Sequence, residues 1–194
     1  MKIIGITGGI GSGKTTVCKL FECLNVPVFY ADEVGKRLMT DDIKVRAQVI
    51  RAFGSDSYIE GVLNRAYLSA IVFNHPEQLA KLNAIVHPAV AKATVTWVEA
   101  HRHHTYGLKE AAILFESGAF RHVDKVITVW APIQLRIERV VQRDGVTAAE
   151  VQKRIDNQIS EGLRLSLSDY VIENNGEQLL MPQVIRVHGR CLAP

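Results

Sequence analysis

The stretch Lys2-Ile3-Ile4-Gly5-Ile6-Thr7-Gly8-Gly9-Ile10-Gly11-Ser12-Gly13-Lys14-Thr15-Thr16 decides how the rest of the chain is read. Residues 2–7 form an apolar run of strand length, and Val17, Leu20, Phe21 and Leu24 follow at i, i+3, i+4, i+7, one face of a helix. Between strand and helix, the run from Gly8 to Thr15 satisfies the phosphate-loop pattern G-x-x-x-x-G-K-[ST]. A loop that turns its backbone N–H groups inward around phosphate oxygens needs glycine, because a side chain disfavours those dihedral angles. Lys14 brings a mobile positive charge to the β- and γ-phosphates, and the Thr15 hydroxyl is placed to ligate Mg²⁺. The following helix directs the positive end of its dipole at the anion. The expected nucleotide-holding residues are Gly9, Gly11, Ser12, Gly13, Lys14, Thr15 and Thr16. A glycine-rich turn that matches by accident is the alternative, and the strand before it and helix after it argue against that.

Working outward, residues 26–30 make a second short strand, 111–115 and 126–130 are two more apolar runs of strand length, and 170–172 provide a fifth. Strands alternating with helix-period segments imply an α/β fold with a five-stranded parallel sheet in a three-layer α/β/α arrangement, the architecture of phosphate-loop (P-loop) NTPases. The region between Thr40 and Ala100 has a helical pattern. Asp41 or Asp42 can cap a segment that stops at Gly54, Asn74-His75-Pro76-Glu77 looks like another helix start, and His87-Pro88 reads as a helix junction. After Pro132, apolar residues at Ile133, Ile137, Val140 and Val141 give helical spacing, with Arg136, Arg139 and Arg143 on a neighbouring stripe. Asp144-Gly145 breaks that helix. Thr147-Ala148-Ala149-Glu150 is a capping box opening the next one, expected to bring Arg154 and Gln158 onto one face. The chain is therefore expected to be one domain, with a core at about 1–32, 105–132 and 166–194, a helical insertion at about 33–104 and an arginine-bearing lid at about 133–165.

Composition excludes several function classes. Lys plus Arg number 23 against 20 Asp plus Glu, a net +3 that suits an anionic small ligand and is too slight and too scattered to argue for nucleic acid. No apolar run approaches the roughly 20 residues of a membrane span. The amino terminus enters a strand with no secretory pattern, so a cytoplasmic location is expected, and no obligate protein partner is evident. Cys18, Cys23 and Cys191 lack Cys-x-x-Cys spacing and are read as reduced thiols. His101-Arg102-His103-His104 invites a metal reading, but no Cys or carboxylate stands beside it at ligand spacing, and a solvated helix end is the plainer account.

Three further groups bear on chemistry. Asp32 follows the second strand, and ligands of open parallel sheets sit outside the carboxyl ends of the strands. A carboxylate there can take a hydroxyl proton and aim that oxygen at the γ-phosphorus, or it can simply cap a helix starting at Glu33. Glu116 closes the 111–115 run as the acid of a Walker B strand does, orienting Mg²⁺ or its water shell, or it is an exposed strand-end carboxylate. Arg139 and Arg143 can clamp the transferring phosphoryl group from the lid, or belong to a solvated face paired with Glu138, Asp144 and Glu150.

Taken in order, the markers are residues 4–15, Ala31-Asp32, Gly61-Val62-Leu63-Asn64-Arg65 with Phe73, Ile85-Val86-His87-Pro88, and Leu114-Phe115-Glu116-Ser117-Gly118. They continue with Arg139, Arg143-Asp144-Gly145, Arg154, Gln158 and Asp169-Tyr170-Val171-Ile172-Glu173-Asn174. This set resembles the dephospho-coenzyme A kinase family over nearly the full length. The resemblance implies that ATP and Mg²⁺ are used and that the γ-phosphoryl passes to the 3′-hydroxyl of the ribose of dephospho-CoA. It further implies that Asp32 is the catalytic base and an acceptor contact, that Lys14, Arg139 and Arg143 assist transfer, and that Arg65 and His87 belong to the acceptor side. The chain departs from the commoner pattern at Ala112-Ile113, Arg136 and Arg164, where proline-leucine, glutamine and lysine are frequent. A nucleoside or nucleotide kinase is the nearest competitor. A regulatory GTPase is remote, because Asp32-Glu33-Val34-Gly35 matches its D-x-x-G element but no Asn-Lys pair exists for reading guanine.

Overall fold

The computed structural model describes residues 1–72 and 75–193. Strand β1 (Lys2–Thr7) is hydrogen-bonded on both sides, and its successive residues 4–7 are buried on both faces of the sheet, which is why its sequence does not alternate apolar with polar. The chain continues through α1 (Lys14–Cys23), β2 (Val28–Tyr30), α2 (Ala31–Asp41), α3 (Ile43–Phe53), β3 (Tyr58–Ile59), β4 (Val62–Leu63), α4 (Arg65–Val72) and α5 (Pro76–Ala100). It returns as β5 (Tyr106–Glu110), β6 (Lys125–Trp130), α6 (Ile133–Asp144), α7 (Ala148–Asp156), α8 (Glu161–Ser166), β7 (Tyr170–Glu173) and α9 (Leu180–Leu192). These elements form two compact units, Met1–Tyr30 with His101–Pro194, and Ala31–Ala100.

The first unit is the expected five-stranded parallel sheet with flanking helices, in the order β2-β5-β1-β6-β7. The chain leaves β1 toward β2 on one side and later fills β6 and β7 on the other. The strand order therefore reverses at β1, and the crevice that binds ligands in such sheets opens at its carboxyl end, where Gly8 begins the loop. Helices α1 and α9 pack together over one face, burying Val17, Phe21, Val184 and Val187 against Ile4, Ile6, Leu108, Ile127 and Ile172.

The third strand is displaced from its expected position. It spans Tyr106–Glu110, and residues 111–118 fold into turns beyond it. Register explains this: Lys2 pairs with Tyr106 and Ile6 with Glu110, so β5 ends where β1 ends. The apolar run 111–115 instead doubles back to fill the space over a small residue, with Leu114 against the Cα of Gly5 and the Phe115 and Phe120 rings 5.5 Å apart. Lys109 and Glu110, both buried, concealed the strand from a reading of apolar runs.

The second unit packs α2, α3 and α4 along the 25-residue α5. Its own core is Val45, Val49, Phe53, Tyr58, Leu63 and Leu68. Asp42 caps α3 by accepting from the Lys44 and Val45 amides at 2.8 and 3.0 Å, and Gly54 ends it, as the sequence suggested. An antiparallel hairpin, β3 with β4, interrupts a stretch that was expected to be helical throughout. Its four strand residues are too few to carry a period of two. Pro88 lies inside α5, so His87-Pro88 is not a helix junction. An internal proline costs a helix roughly 3 kcal/mol, and here packing of Leu82, Ile85 and Ala89 against the unit's core outweighs that local preference. Phe73, Asn74 and Pro194 lie outside the described residues, so of the expected start at 74–77 the described part is α5 opening at Pro76.

Candidate active site

The loop after β1 is built for an anion. Gly13 adopts φ 91° and ψ 27°, a left-handed conformation that glycine takes without penalty, and so turns the chain into α1. No side chain caps α1 and no acid stands in its first turn, which leaves its leading N–H groups and the positive dipole end available to a phosphate. Lys14 Nζ donates to the Gly8 carbonyl at 3.0 Å, drawing its charge back along the loop. Thr15 and Thr16 are exposed beside it. The Ser12 hydroxyl is buried with no hydrogen-bond partner among the described residues.

Side chains from the expected lid and from Asn174, the residue after β7, grip this loop. Asn174 Nδ2 donates to the Ser12 carbonyl at 2.8 Å, and Arg139 donates to the Asn174 carbonyl at 3.1 Å and, more loosely, to its Oδ1 at 3.4 Å. The Ile10 N–H donates to Gln158 Oε1 and the Ile10 carbonyl accepts from Arg136 Nε, both at 2.9 Å. Arg136 is 3% exposed and also donates from Nη1 to Glu161 Oε2 at 2.8 Å, while Trp130 Nε1 donates to Glu161 Oε1 at 2.6 Å. Its guanidinium lies so close to Gly9 that a Cβ there would overlap it. Burial pulls the Arg136 pKa down and the Glu161 carboxylate pulls it up, so the pair holds a charge that the protein interior alone would resist.

The remaining sequence candidates fall in different places. Arg136, Arg139 and Arg143 do not share one exposed face: the first is buried and the second half-buried on Asn174. Arg143 is exposed and donates from Nε and Nη2 to Asp144 at 2.7 and 3.0 Å, as the solvated-face reading anticipated for it. Gln158 is not on a common face with Arg154, because α7 ends at Asp156. It lies in the following turn, where it reaches the loop, while Arg154 joins Asp144 at 3.3 Å. Glu116 does not end a strand. Its Oε1 accepts from the Ile159 N–H at 3.1 Å, and the acid that does end the strand beside β1 is the buried Glu110.

In the second unit, α2 begins at Ala31, so Asp32 stands inside the first turn and is not the helix N-cap. An open depression of about 370 Å³ is lined by Glu33, Lys36, Arg37, Thr40, Asp41 and Arg65, three cations against two acids. Arg65 is thus brought beside two further basic groups that the sequence reading did not single out. His87 is exposed on α5 and is not part of that lining. The His101, His103 and His104 rings cluster just past α5 with centroids 4.3–6.5 Å apart, but no set of three or more metal-ligating groups occurs among the described residues. Cys18 and Cys191 are buried, and burial raises both thiol pKa values, that of Cys191 to about 11, so neither is a poised nucleophile.

A family model described as dephospho-CoA kinase matches residues 2–179. The chain belongs to the dephospho-CoA kinase family. It is 43% identical over 179 residues to the dephospho-CoA kinase of Salinibacter ruber, covering 91% of this chain and 90% of that one. It is 36% identical over 186 residues to the dephospho-CoA kinase of Bacteroides fragilis, covering 95% and 90%. A crystal structure from Thermus thermophilus superposes with a TM-score of 0.88 at 31% identity, covering 100% of this chain and 98% of the other. The residues to which the sequence reading gave no role in this member of the dephospho-CoA kinase family are Arg136 and Asn174, which bond the loop, Glu161, which holds Arg136, and the buried Glu110, which ends β5. Glu110 and Arg136 sit in elements whose buried faces include charge, which an apolar pattern does not register. Glu161 carried one usable signal, an acid directly after the helix-capping Ser160.

Proposed function

We propose that this chain transfers the γ-phosphoryl group of ATP to the 3′-hydroxyl of the ribose of dephospho-CoA, giving coenzyme A and ADP. The observation that carries the reading is the uncapped start of α1 behind a glycine loop that opens at the strand-order reversal, with Lys14 as the first helical residue. That arrangement holds a polyphosphate, and membership of the dephospho-CoA kinase family supplies the acceptor.

In this reading Asp32, two residues beyond the end of β2, accepts the proton of the 3′-hydroxyl as its oxygen bonds to the γ-phosphorus and the bond from that phosphorus to the β–γ bridging oxygen breaks. Lys14 counters the charge on the phosphate oxygens. Arg139 and Arg143 add to it once they turn from Asn174 and Asp144, an exchange that offers each guanidinium a more highly charged acceptor. Arg65, with Lys36 and Arg37 beside it, receives an anionic part of the acceptor, and His87 contributes from α5. The exposed Thr15 hydroxyl fits Mg²⁺, which takes oxygen ligands and relies largely on substrate phosphates and water for the rest. When bound, the ion would neutralise charge on the β- and γ-oxygens; Thr15 would hold it together with a carboxylate, Glu116 as the sequence suggested or the strand-ending Glu110. The reading carries a cytoplasmic location and small-molecule partners only. Among the described residues no helix is long and apolar enough to cross a membrane.

The test is a kinase assay with dephospho-CoA, adenosine and AMP offered in parallel, with either ATP or GTP as donor. Phosphorylation of dephospho-CoA at the 3′ position from ATP, well ahead of the other acceptors, is the expected outcome. A preference for adenosine or AMP would move the protein to the nucleoside or nucleotide kinases.

A further inference from the structure

The two peptide groups that flank the Ile10 Cα are each held by a side chain from one downstream segment. The Ile10 N–H is taken by the Gln158 carboxamide and the Ile10 carbonyl by the Arg136 guanidinium, each at 2.9 Å. Ile10 sits at the tip of the loop, flanked by Gly9 and Gly11, so its own neighbours do little to fix its orientation. Arg136 is tied in turn to Glu161, and the other oxygen of Glu161 is occupied by Trp130 at the end of β6. The guanidinium therefore cannot swing away without breaking its contact with the partly exposed Glu161 carboxylate and leaving its own charge unpaired at 3% exposure. Gly9 packs directly on that guanidinium, and the backbone of Arg136 fills the space where a side chain at Gly11 would go. The glycines at these positions thus admit Arg136 as well as phosphate.

We propose that Arg136 and Gln158 are positioning residues that pre-shape the tip of the phosphate loop by fixing the two peptide groups flanking the Ile10 Cα, so that nucleotide affinity depends on a Trp130–Glu161–Arg136 relay outside the loop. This rests on the reading that the loop holds a nucleotide, and it is independent of the acceptor. A glycine-rich loop that must order on binding loses affinity to that ordering, and a residue whose two flanking peptide groups are already held has less to lose. The two grips act on successive peptide groups about one Cα and together set the Ile10 dihedral angles, so their effects are coupled and not additive.

The experiment is calorimetric titration of ADP and ATP, without acceptor, into the wild-type protein and the Arg136→Met, Gln158→Met and double variants. KM values for both substrates are measured alongside. Each single variant is expected to weaken nucleotide binding about tenfold, with the double variant little worse than either, while KM for dephospho-CoA stays within about twofold. Nucleotide affinities within twofold of wild type in the single variants, or a KM for dephospho-CoA that rises as much as that for ATP, would overturn the proposal. Should Arg136→Met fail to fold, Gln158→Met decides the matter, because Gln158 lies in a turn and carries no buried charge. A wild-type protein that binds ADP yet phosphorylates no dephospho-CoA removes the acceptor assignment and leaves this test intact.

Discussion

Asp32 carries the chemical step in our reading, and its position separates two roles that sequence alone left open. An aspartate that only capped α2 would stand before the first helical residue, whereas Asp32 is the second residue of the helix and exposed. Asp32→Asn keeps size and polarity and removes the capacity to take a proton. It should leave ATP affinity within a few-fold and lower kcat by on the order of 10², measured by titration beside steady-state kinetics. Unchanged turnover would take Asp32 out of the mechanism. Glu116 illustrates the opposite case. Its claim rested on ending a strand, and the strand ends six residues earlier, at Glu110, because the pairing partner β1 runs out there.

Among the elements, α5 is where local preference and packing disagree most. Pro88 has no N–H for the Ala84 carbonyl and still does not divide the helix. If packing alone keeps α5 continuous, replacing Pro88 by alanine should remove the steric and hydrogen-bond cost and return only a small entropy penalty to the unfolded chain. A gain of about 2 kcal/mol in unfolding free energy is expected, read by urea denaturation. No gain would mean that the helix is already adjusted around the ring at little cost. The capping box at Thr147 and Glu150 behaves in the ordinary way, both reciprocal bonds being formed, and so do the Asp42 cap and the Gly145 stop after α6. These signals were legible because each is made within a few residues of chain.

For the molecule as a whole, the sheet's closing strand is fastened by Asp169. Its carboxylate accepts from Lys125 Nζ and from the Val126 N–H, each at 2.8 Å, joining the start of β6 to the start of β7. Partial burial pushes the Asp169 pKa up, but the hydrogen bonds from Lys125 and Val126 together outweigh it and hold the group below the ordinary aspartate value. A carboxylate with a depressed folded-state pKa contributes stability above its unfolded pKa, and that contribution is lost as pH falls through the folded value. Asp169→Asn should therefore lower Tm at neutral pH by a few degrees, on the order of 1 kcal/mol. The gap from wild type should close as pH drops below about 4. A gap that stays constant with pH would assign the loss to packing.

The amino-acid order was enough to place the phosphate loop, four of the five sheet strands, the local helix caps and the family, since each depends on contiguous residues or on a spaced pattern of residue types. It did not locate β5, the hairpin or the continuity of α5, and it did not foresee that Arg136 and Gln158 would meet at Ile10. The meeting at Ile10 arises where residues over a hundred positions apart exchange hydrogen bonds, β5 where charged side chains are buried beside β1, and the continuity of α5 where apolar packing outweighs a local preference, while the hairpin is too short to leave a pattern. For residues that meet from distant parts of the chain, folding free energy belongs to the pair, and neither partner's local sequence carries a record of the other.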